Sequence, residues 1–138
     1  MLDKVLIKRK LKQIQAYLEE LSPIAKKSKQ DFVSSYIHYT AERLTELIVG
    51  NAIDINFHII KELNFHAPLE YKESFIVLGK EKILSLDFAK NIADSAGLRN
   101  LLIHHYDKFD LDRFYDNLKE GIIDYEKYID DIYKFIEK

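Results

Sequence analysis

Residues 97 to 106 have the sequence Gly97-Leu98-Arg99-Asn100-Leu101-Leu102-Ile103-His104-His105-Tyr106. The apolar run from Leu98 to Ile103 is typical of a helix that faces a core, and we expect it to hold the polar side chains on a stiff element. Arg99 carries a permanent positive charge on a planar fork that suits phosphate oxygens. His104 can exchange a proton near neutral pH. Asn100 offers hydrogen-bond donors and an acceptor, and Tyr106 offers a phenolic hydroxyl.

The spacing of these polar residues limits how one helix can present them. A helix turns by about 100° per residue, so Asn100 and His104 share a face. Arg99 and Tyr106 are two turns apart and share a neighbouring face. Arg99 and His104 are about 140° apart, so a regular helix does not direct both side chains at one point. Either the helix ends or distorts near His104, or a second copy of the chain completes the site.

The composition indicates a globular helical protein. With 138 residues, 47% of them hydrophobic and 32% charged, residues 1–138 can form one compact domain. The chain has only four Gly and two Pro, which favours long helices with few turns. It has no cysteine, so we expect a reducing, cytoplasmic location. A net charge of −2 predicts only local contacts with RNA, and we expect no membrane span or signal peptide.

Upstream of residues 97–106 the pattern predicts three helices. The first runs from about Leu2 to Leu21, because Pro23 disfavours helix at the residue before it. The second begins near Ser28, the first residue of a capping box, and continues without a breaker to Leu63. That helix has about 35 residues and would be roughly 50 Å long.

A turn at residues 64–68 precedes the third helix, which is predicted over 69–78 with Gly79 as its C-cap. Ser85 or Asp87 then begins the helix that carries residues 97–106.

Downstream, residues 107–110 form a polar break. Asp110 is a good N-cap for a last helix over residues 111–136. No segment shows the alternation of a strand. The sequence therefore predicts an all-α bundle of about five antiparallel helices.

The first helix has a basic face. Its cations are Lys4, Lys8, Arg9, Lys10 and Lys12. A solvated helix face is the favoured interpretation, and a patch that follows a phosphate backbone is the alternative.

Several cofactor and metal patterns are absent. The sequence has no Gly-rich phosphate loop, no dinucleotide fingerprint and no His-Glu-x-x-His zinc helix. We read His38 and His58 as ordinary helix histidines, and Glu62 with His66 as a poor metal pair. If the chain is an enzyme, we expect it to need no cofactor and to work through Arg, His and hydroxyl groups.

Taken together, these residues give the chain a resemblance to a HEPN-domain ribonuclease toxin of the HepT kind, which is paired with a minimal nucleotidyltransferase antitoxin. The motif of that group is Arg, four residues, His, any residue and Tyr, and Arg99, His104 and Tyr106 match it in full. The resemblance covers residues 28–138. Further matching positions are Glu42-Arg43, Ala52-Ile53-Asp54-Ile55, Pro68, Phe75 and Leu78.

The resemblance implies a two-fold homodimer in which the motif helices meet at one cleft. It implies metal-independent cleavage of RNA, either mRNA or tRNA, that leaves a cyclic phosphate. His104 would be the general base or acid, Arg99 would stabilise the transition state, and Asn100 would orient His104 or contact phosphate. Tyr106 would accept AMP from the antitoxin. His105 offers an alternative imidazole.

Other interpretations stay open at this point. Some relatives carry an acidic residue near Gly50-Asn51, where this chain has none. Without the complete motif, Arg99 would be expected to pair with Asp94 or Asp107, and His104 to cap helix carbonyls. Two other functions are a non-catalytic subunit that binds a nucleotidyltransferase, and a structural helical adaptor.

Overall fold

The computed structural model describes residues 1–138 and contains α-helices and one short 3-10 turn but no strand. The helices are α1 (Lys4–Ala25), α2 (Lys29–Ser34), α3 (Ile37–Glu62), α4 (Tyr71–Lys80), α5 (Leu86–His104) and α6 (Leu111–Ile136), and the 3-10 turn is Tyr106–Lys108. The all-α prediction is confirmed, with six helices where about five were predicted. None of the helices is both long enough and apolar enough to cross a bilayer.

Helix α3 is the centre of the bundle. It packs against α1 on one side and against α4 and α5 on the other, while α1 also packs on α6. The buried positions of α3 follow helical periodicity, as in Ile48, Ala52, Ile55 and Ile59. They belong to one continuous apolar core that includes residues of every helix. Helix α5, which carries residues 97–104 of the motif region, also packs on α3, and the candidate site lies at this contact.

The prediction of one helix from Ser28 to Leu63 is wrong, because the chain breaks between α2 and α3. Ser28 is an N-cap as predicted, with its hydroxyl accepting a hydrogen bond from Asp31 N at 3.1 Å. Ser35, however, is extended, and its hydroxyl accepts from Ile37 N at 3.2 Å. A serine hydroxyl that bonds to nearby backbone competes with the helix, and here it starts α3 afresh. The break lets α2 turn Phe32 into the core.

The predicted end of the first helix at Leu21 is also wrong, because α1 continues through Pro23 to Ala25. Proline removes one backbone donor and disfavours helix at the preceding residue. Ile24 and Ala25 are both buried, and this burial offsets the local cost of Pro23.

Gly79 does not cap α4 as predicted, and the predicted start at Leu69 is two residues early, because the helix runs from Tyr71 to Lys80. Gly79 instead permits the close approach of α4 and α5. A Cβ atom at this position would lie 2.6 Å from the Cβ of Ala89 and 3.3 Å from the Cα of Leu86. Contacts this short exclude a side chain, so the small residue at 79 is required by packing.

The later helix boundaries match the sequence prediction more closely. Ser85 is the N-cap of α5, and its hydroxyl accepts from Phe88 N at 3.2 Å. Asp110 caps α6 by accepting from Arg113 N at 3.1 Å. The expectation that the whole run from Leu98 to Ile103 faces the core is wrong at Ile103, which is 41% exposed.

Part of the basic face of α1 is neutralised by acidic neighbours. Lys8 pairs with Glu137 at 2.9 Å, and Lys10 pairs with Asp54 at 3.1 Å. These exposed pairs fit a solvated helix face better than a phosphate-binding patch, because two of its cations already have partners.

The packing at Gly79 yields a stability prediction. We expect Gly79→Ala to lower the free energy of unfolding by about 1–3 kcal/mol, because the added methyl group would overlap Ala89. Gly121→Ala is the matched control, since a Cβ at this helical position meets nothing within 4 Å. This control should be neutral or stabilising by up to about 1 kcal/mol. Equal effects of the two substitutions in urea unfolding would contradict the packing role of Gly79.

Candidate active site

Arg99 lies in the last third of α5 and is half-buried against two other helices. Its guanidinium carbon is 5.9 Å from the ring centre of Tyr71 at the start of α4. A Cβ added at Gly50 of α3 would lie 3.5 Å from the Nε of Arg99. The Arg99 side chain therefore lies against α3 at Gly50, where a Cβ would make only an ordinary van der Waals contact, and the ring of Tyr71 supplies a cation–π contact.

The guanidinium of Arg99 has no acceptor within the chain. Its Nε is buried and has no hydrogen-bond partner. Pairing with Asp94 or Asp107 is not found, and Asp94 instead lies 3.4 Å from the Nζ of Lys72. Buried donors are rarely left unpaired, and such exceptions often lie at functional sites. Arg99 is therefore held in place with its hydrogen-bonding capacity unused, as an anion-binding group requires.

His104 is the last residue of α5 and is exposed. His105 is the C-cap, and its N–H donates to Leu101 O at 3.0 Å. Neither imidazole makes a hydrogen bond, so capping of carbonyls by His104 is not found. Asn100, one turn before His104, is also exposed and makes no hydrogen bond to it. All three side chains are free to contact a ligand or a second chain.

Tyr106 begins the 3-10 turn after α5 and contacts the N-terminal half of α3. Its hydroxyl donates a hydrogen bond to Oε1 of Glu42 at 2.7 Å. Its ring stacks on Phe109, with centroids 5.3 Å apart and an angle of 20° between the planes. Tyr106 is nevertheless 45% exposed, so the residue is not fully enclosed by its contacts.

The surroundings of Tyr106 keep its hydroxyl protonated. Burial of the hydroxyl is the main cause that raises the pKa of Tyr106 well above its usual range, and the hydrogen bond to Glu42 is the next. Burial raises the pKa because a phenolate would lose its hydration, and Glu42 raises it because the phenolate would lie beside a carboxylate. At neutral pH the Tyr106 hydroxyl is therefore a hydrogen-bond donor.

Arg99 and Tyr106 both lie along α3, but His104 does not join them. Arg99 is beside Gly50 and Tyr106 is beside Glu42, which are about two turns or 12 Å apart on α3. The prediction that Arg99 and Tyr106 share a face of one helix is wrong, because α5 ends at His104 and Tyr106 lies in the 3-10 turn that follows. Helix α5 is regular up to His104, so Arg99 and His104 leave it in different directions. The two residues are therefore about 140° apart around α5, and this helix ends at His104.

Glu42 is a member of this region that the sequence pattern does not predict, since in the sequence it is only a position that matches the family. Glu42 is 5% exposed, although its side chain is an acid. It falls on the buried stripe of α3 with Thr45 and Val49, at spacings of three and seven residues. His38, interpreted as an ordinary helix histidine, lies one turn earlier with its Nδ1 2.6 Å from the second oxygen of Glu42. The helical spacing alone could have indicated a buried carboxylate with an imidazole beside it.

No group of three or more His, Asp or Glu side chains is arranged to hold a metal ion. The site offers other side chains instead. Near the end of α5 and in the turn after it lie a guanidinium, an amide, two imidazoles and a phenol. These groups suit binding of a phosphate and transfer of protons.

Comparison with known proteins assigns the chain to a family. The family model described as Ribonuclease HepT-like matches residues 7–132. The chain is similar to the tRNA nuclease HepT of Aphanizomenon flos-aquae (strain 2012/KM1/D3), with 36% identity over 136 residues, 98% of this chain and 92% of that protein. It is also similar to the mRNA nuclease HepT of Shewanella oneidensis, with 28% identity over 125 residues, 90% of this chain and 88% of that protein.

Solved structures share the fold. One is a toxin–antitoxin crystal structure with AMP-PNP, with a TM-score of 0.85, 21% identity, and coverage of 94% of this chain and 98% of that chain. Another is a tri-AMPylated Shewanella oneidensis HEPN toxin in complex with an MNT antitoxin, with a TM-score of 0.83, 23% identity, and coverage of 97% and 99%.

A helical bundle that carries an unpaired guanidinium and an exposed imidazole on one helix has side chains of the kind that enzymes acting on phosphodiesters use. More specifically, the chain belongs to the HepT-like ribonuclease family. The resemblance identified from Arg99, His104 and Tyr106 is thereby confirmed, and so is the expectation of an RNA-cleaving enzyme at the level of the family. The structural-adaptor alternative does not fit this family.

Proposed function

We propose that this chain is the toxin of a toxin–antitoxin pair, which cleaves RNA without a metal ion as a homodimer. The observation that carries the proposal is the unpaired guanidinium of Arg99, half-buried on the helix that ends in His104. Its relatives are named as a tRNA nuclease and an mRNA nuclease, which supports RNA as the substrate. A cytoplasmic location follows from such a substrate.

Arg99 acts on the phosphate. A phosphodiester under attack passes through a five-coordinate state with extra negative charge on its oxygens. A guanidinium that is already positioned and lacks a partner stabilises this charge without first breaking an ion pair. The ring of Tyr71 contributes a cation–π contact that helps to position the guanidinium.

His104 transfers a proton in the cleavage step. As base it takes the proton of the ribose 2′-hydroxyl, whose oxygen then attacks phosphorus, and the 5′-oxygen leaves with a proton from an acid. The product carries a 2′,3′-cyclic phosphate. Asn100, one turn away on the same face, orients the imidazole of His104 or contacts the phosphate.

A second copy of the chain completes the cleft with the catalytic side chain that the first copy does not direct into it. Because Arg99 and His104 leave α5 in different directions, we propose that the two motif helices meet across a two-fold axis, so that each chain contributes to one cleft. The exposed Ile103 and the open surface at Gly97 support this, since both leave α5 accessible to a partner helix near the motif.

The antitoxin is a minimal nucleotidyltransferase that transfers AMP to Tyr106. Support comes from the similar toxin that is tri-AMPylated in complex with its MNT antitoxin. The partial exposure of Tyr106 is compatible with an incoming nucleotide, and a phosphate attached to it would stand between the RNA and Arg99.

The first prediction concerns cleavage. We expect Arg99→Ala and His104→Ala each to slow RNA cleavage in EDTA by roughly 100-fold or more, because each removes transition-state stabilisation or proton transfer. His105→Ala is the matched control and should retain most of the activity. If the His105 variant loses activity while the His104 variant keeps it, the assignment of the imidazole is wrong. If highly purified wild-type protein cleaves no RNA, the non-catalytic subunit becomes the better interpretation.

The second prediction concerns the composite cleft. When Arg99→Ala and His104→Ala proteins are unfolded together and refolded, mixed dimers contain one intact guanidinium and one intact imidazole. We expect partial recovery of RNA cleavage in the mixture, whereas each variant alone stays inactive. The absence of recovery, despite mixed dimers detected by native mass spectrometry, would contradict a shared cleft. A monomer in sedimentation velocity would contradict the dimer itself.

The third prediction concerns modification. Incubation with the partner transferase and ATP should add AMP mass to the wild-type chain and stop RNA cleavage. Tyr106→Phe should gain no mass, while Tyr36→Phe, which changes an exposed tyrosine elsewhere, should be modified normally. Mass gain on the Tyr106→Phe protein would place the acceptor at another residue.

A further inference from the structure

Glu42 is a buried carboxylate whose presence the packing of α3 does not explain. It is 5% exposed and lies on a helix whose other buried positions are mostly apolar. Removing a carboxylate from water costs several kcal/mol unless it is hydrogen-bonded, so such groups are retained where they have partners and a use.

Both oxygens of Glu42 are engaged by residues of the motif region and of α3. Oε1 accepts from the Tyr106 hydroxyl at 2.7 Å, and Oε2 lies 2.6 Å from Nδ1 of His38. His38 is itself fixed by its neighbours, because its ring packs against Tyr39 at 4.1 Å and against Phe32 at 6.4 Å between centroids. The three side chains form a line from imidazole to carboxylate to phenol.

We propose that Glu42 is the general base that removes the proton of Tyr106 when this tyrosine accepts AMP, and that His38 is a positioning residue that holds the carboxylate. This inference rests on the proposed function, since it requires Tyr106 to be the acceptor. It adds a catalytic group supplied by the toxin itself to a reaction that the antitoxin performs.

The step balances with ATP as the only co-reactant. The Tyr106 oxygen attacks the α-phosphorus of ATP and forms a P–O bond. The bond between the α-phosphorus and the bridging oxygen to the β-phosphate breaks, and diphosphate leaves with its electron pair. The phenolic proton passes to Oε1 of Glu42, which already accepts it in a hydrogen bond.

The reaction needs a base because the phenol is protonated at neutral pH and is then a weak nucleophile. Glu42 is within hydrogen-bond distance of this hydroxyl, as a general base must be. Once Tyr106 carries AMP, its oxygen can no longer donate to Glu42, so this hydrogen bond belongs to the unmodified toxin.

The test uses the full chain with its partner transferase and ATP, and it measures the initial rate of AMP incorporation. We expect Glu42→Gln to slow incorporation by about 100-fold or more, the usual range for loss of a general base. The Gln amide oxygen can still accept from Tyr106, so the orientation of the phenol is retained while the basicity is lost. Glu46→Gln, one turn further along α3, is the matched control and should react at the wild-type rate. Circular dichroism and binding to the transferase establish that each variant is folded.

A second measurement separates a base from a merely structural residue. Replacement of Tyr106 by a fluorinated tyrosine, which ionises more readily, should restore much of the rate to the Glu42→Gln protein. Rescue supports the proposal, because only a deficit in proton removal responds to the acidity of the phenol. A slow Glu42→Gln protein that the fluorinated residue does not rescue would overturn it.

Two further outcomes distinguish this inference from the proposed function. If the wild-type chain gains AMP at Tyr106 and Glu42→Gln gains it equally fast, Glu42 is not the base and the proposed function stands. If the wild-type chain gains no AMP at Tyr106, the modification assigned under the proposed function fails and the role of Glu42 fails with it.

Discussion

The crossing of α5 over α3 determines where the functional side chains of this protein lie. The Arg99 side chain lies against Gly50 of α3, and about two turns away Glu42 of the same helix binds the Tyr106 hydroxyl. Because α3 is held by α1, α4 and α5 at once, these positions are supported by the rigid centre of the bundle. The proposed roles of Arg99 in phosphate binding and of Tyr106 as AMP acceptor agree with such a frame, since prepositioned groups need little reorganisation before they react.

The polar groups buried near α3 are of two kinds. Tyr128, fully buried, donates to Asn56 at 2.6 Å, and Asn56 donates to Ser74 at 3.1 Å. This network has its partners within the chain, and it joins α6, α3 and α4 as a structural element. Arg99, in contrast, keeps a buried donor without a partner. The contrast supports the proposal that Arg99 binds an external ligand, because the same core satisfies its structural polar groups.

Much of the helical pattern could be predicted, since apolar spacing and caps act locally. Ser28, Ser85 and Asp110 cap helices as predicted, and the last helix has the predicted bounds. The errors occur where packing opposes a local preference. Burial of Ile24 extends α1 beyond Pro23. Gly79, predicted to end a helix, is instead required because a Cβ at this position would overlap Ala89.

The sequence by itself determined the fold class, because apolar periodicity acts locally, and the family, because the spacing of Arg99, His104 and Tyr106 along the chain matches a family motif. Only the tertiary structure decided what these residues contact. The contact of His38 with Glu42 is local, because the two residues are four apart on α3. The lack of an acidic partner for Arg99 and the hydrogen bond between Glu42 and Tyr106 are instead results of how the helices pack. Residues 64 positions apart meet through that packing, and no local spacing in the chain encodes such a contact.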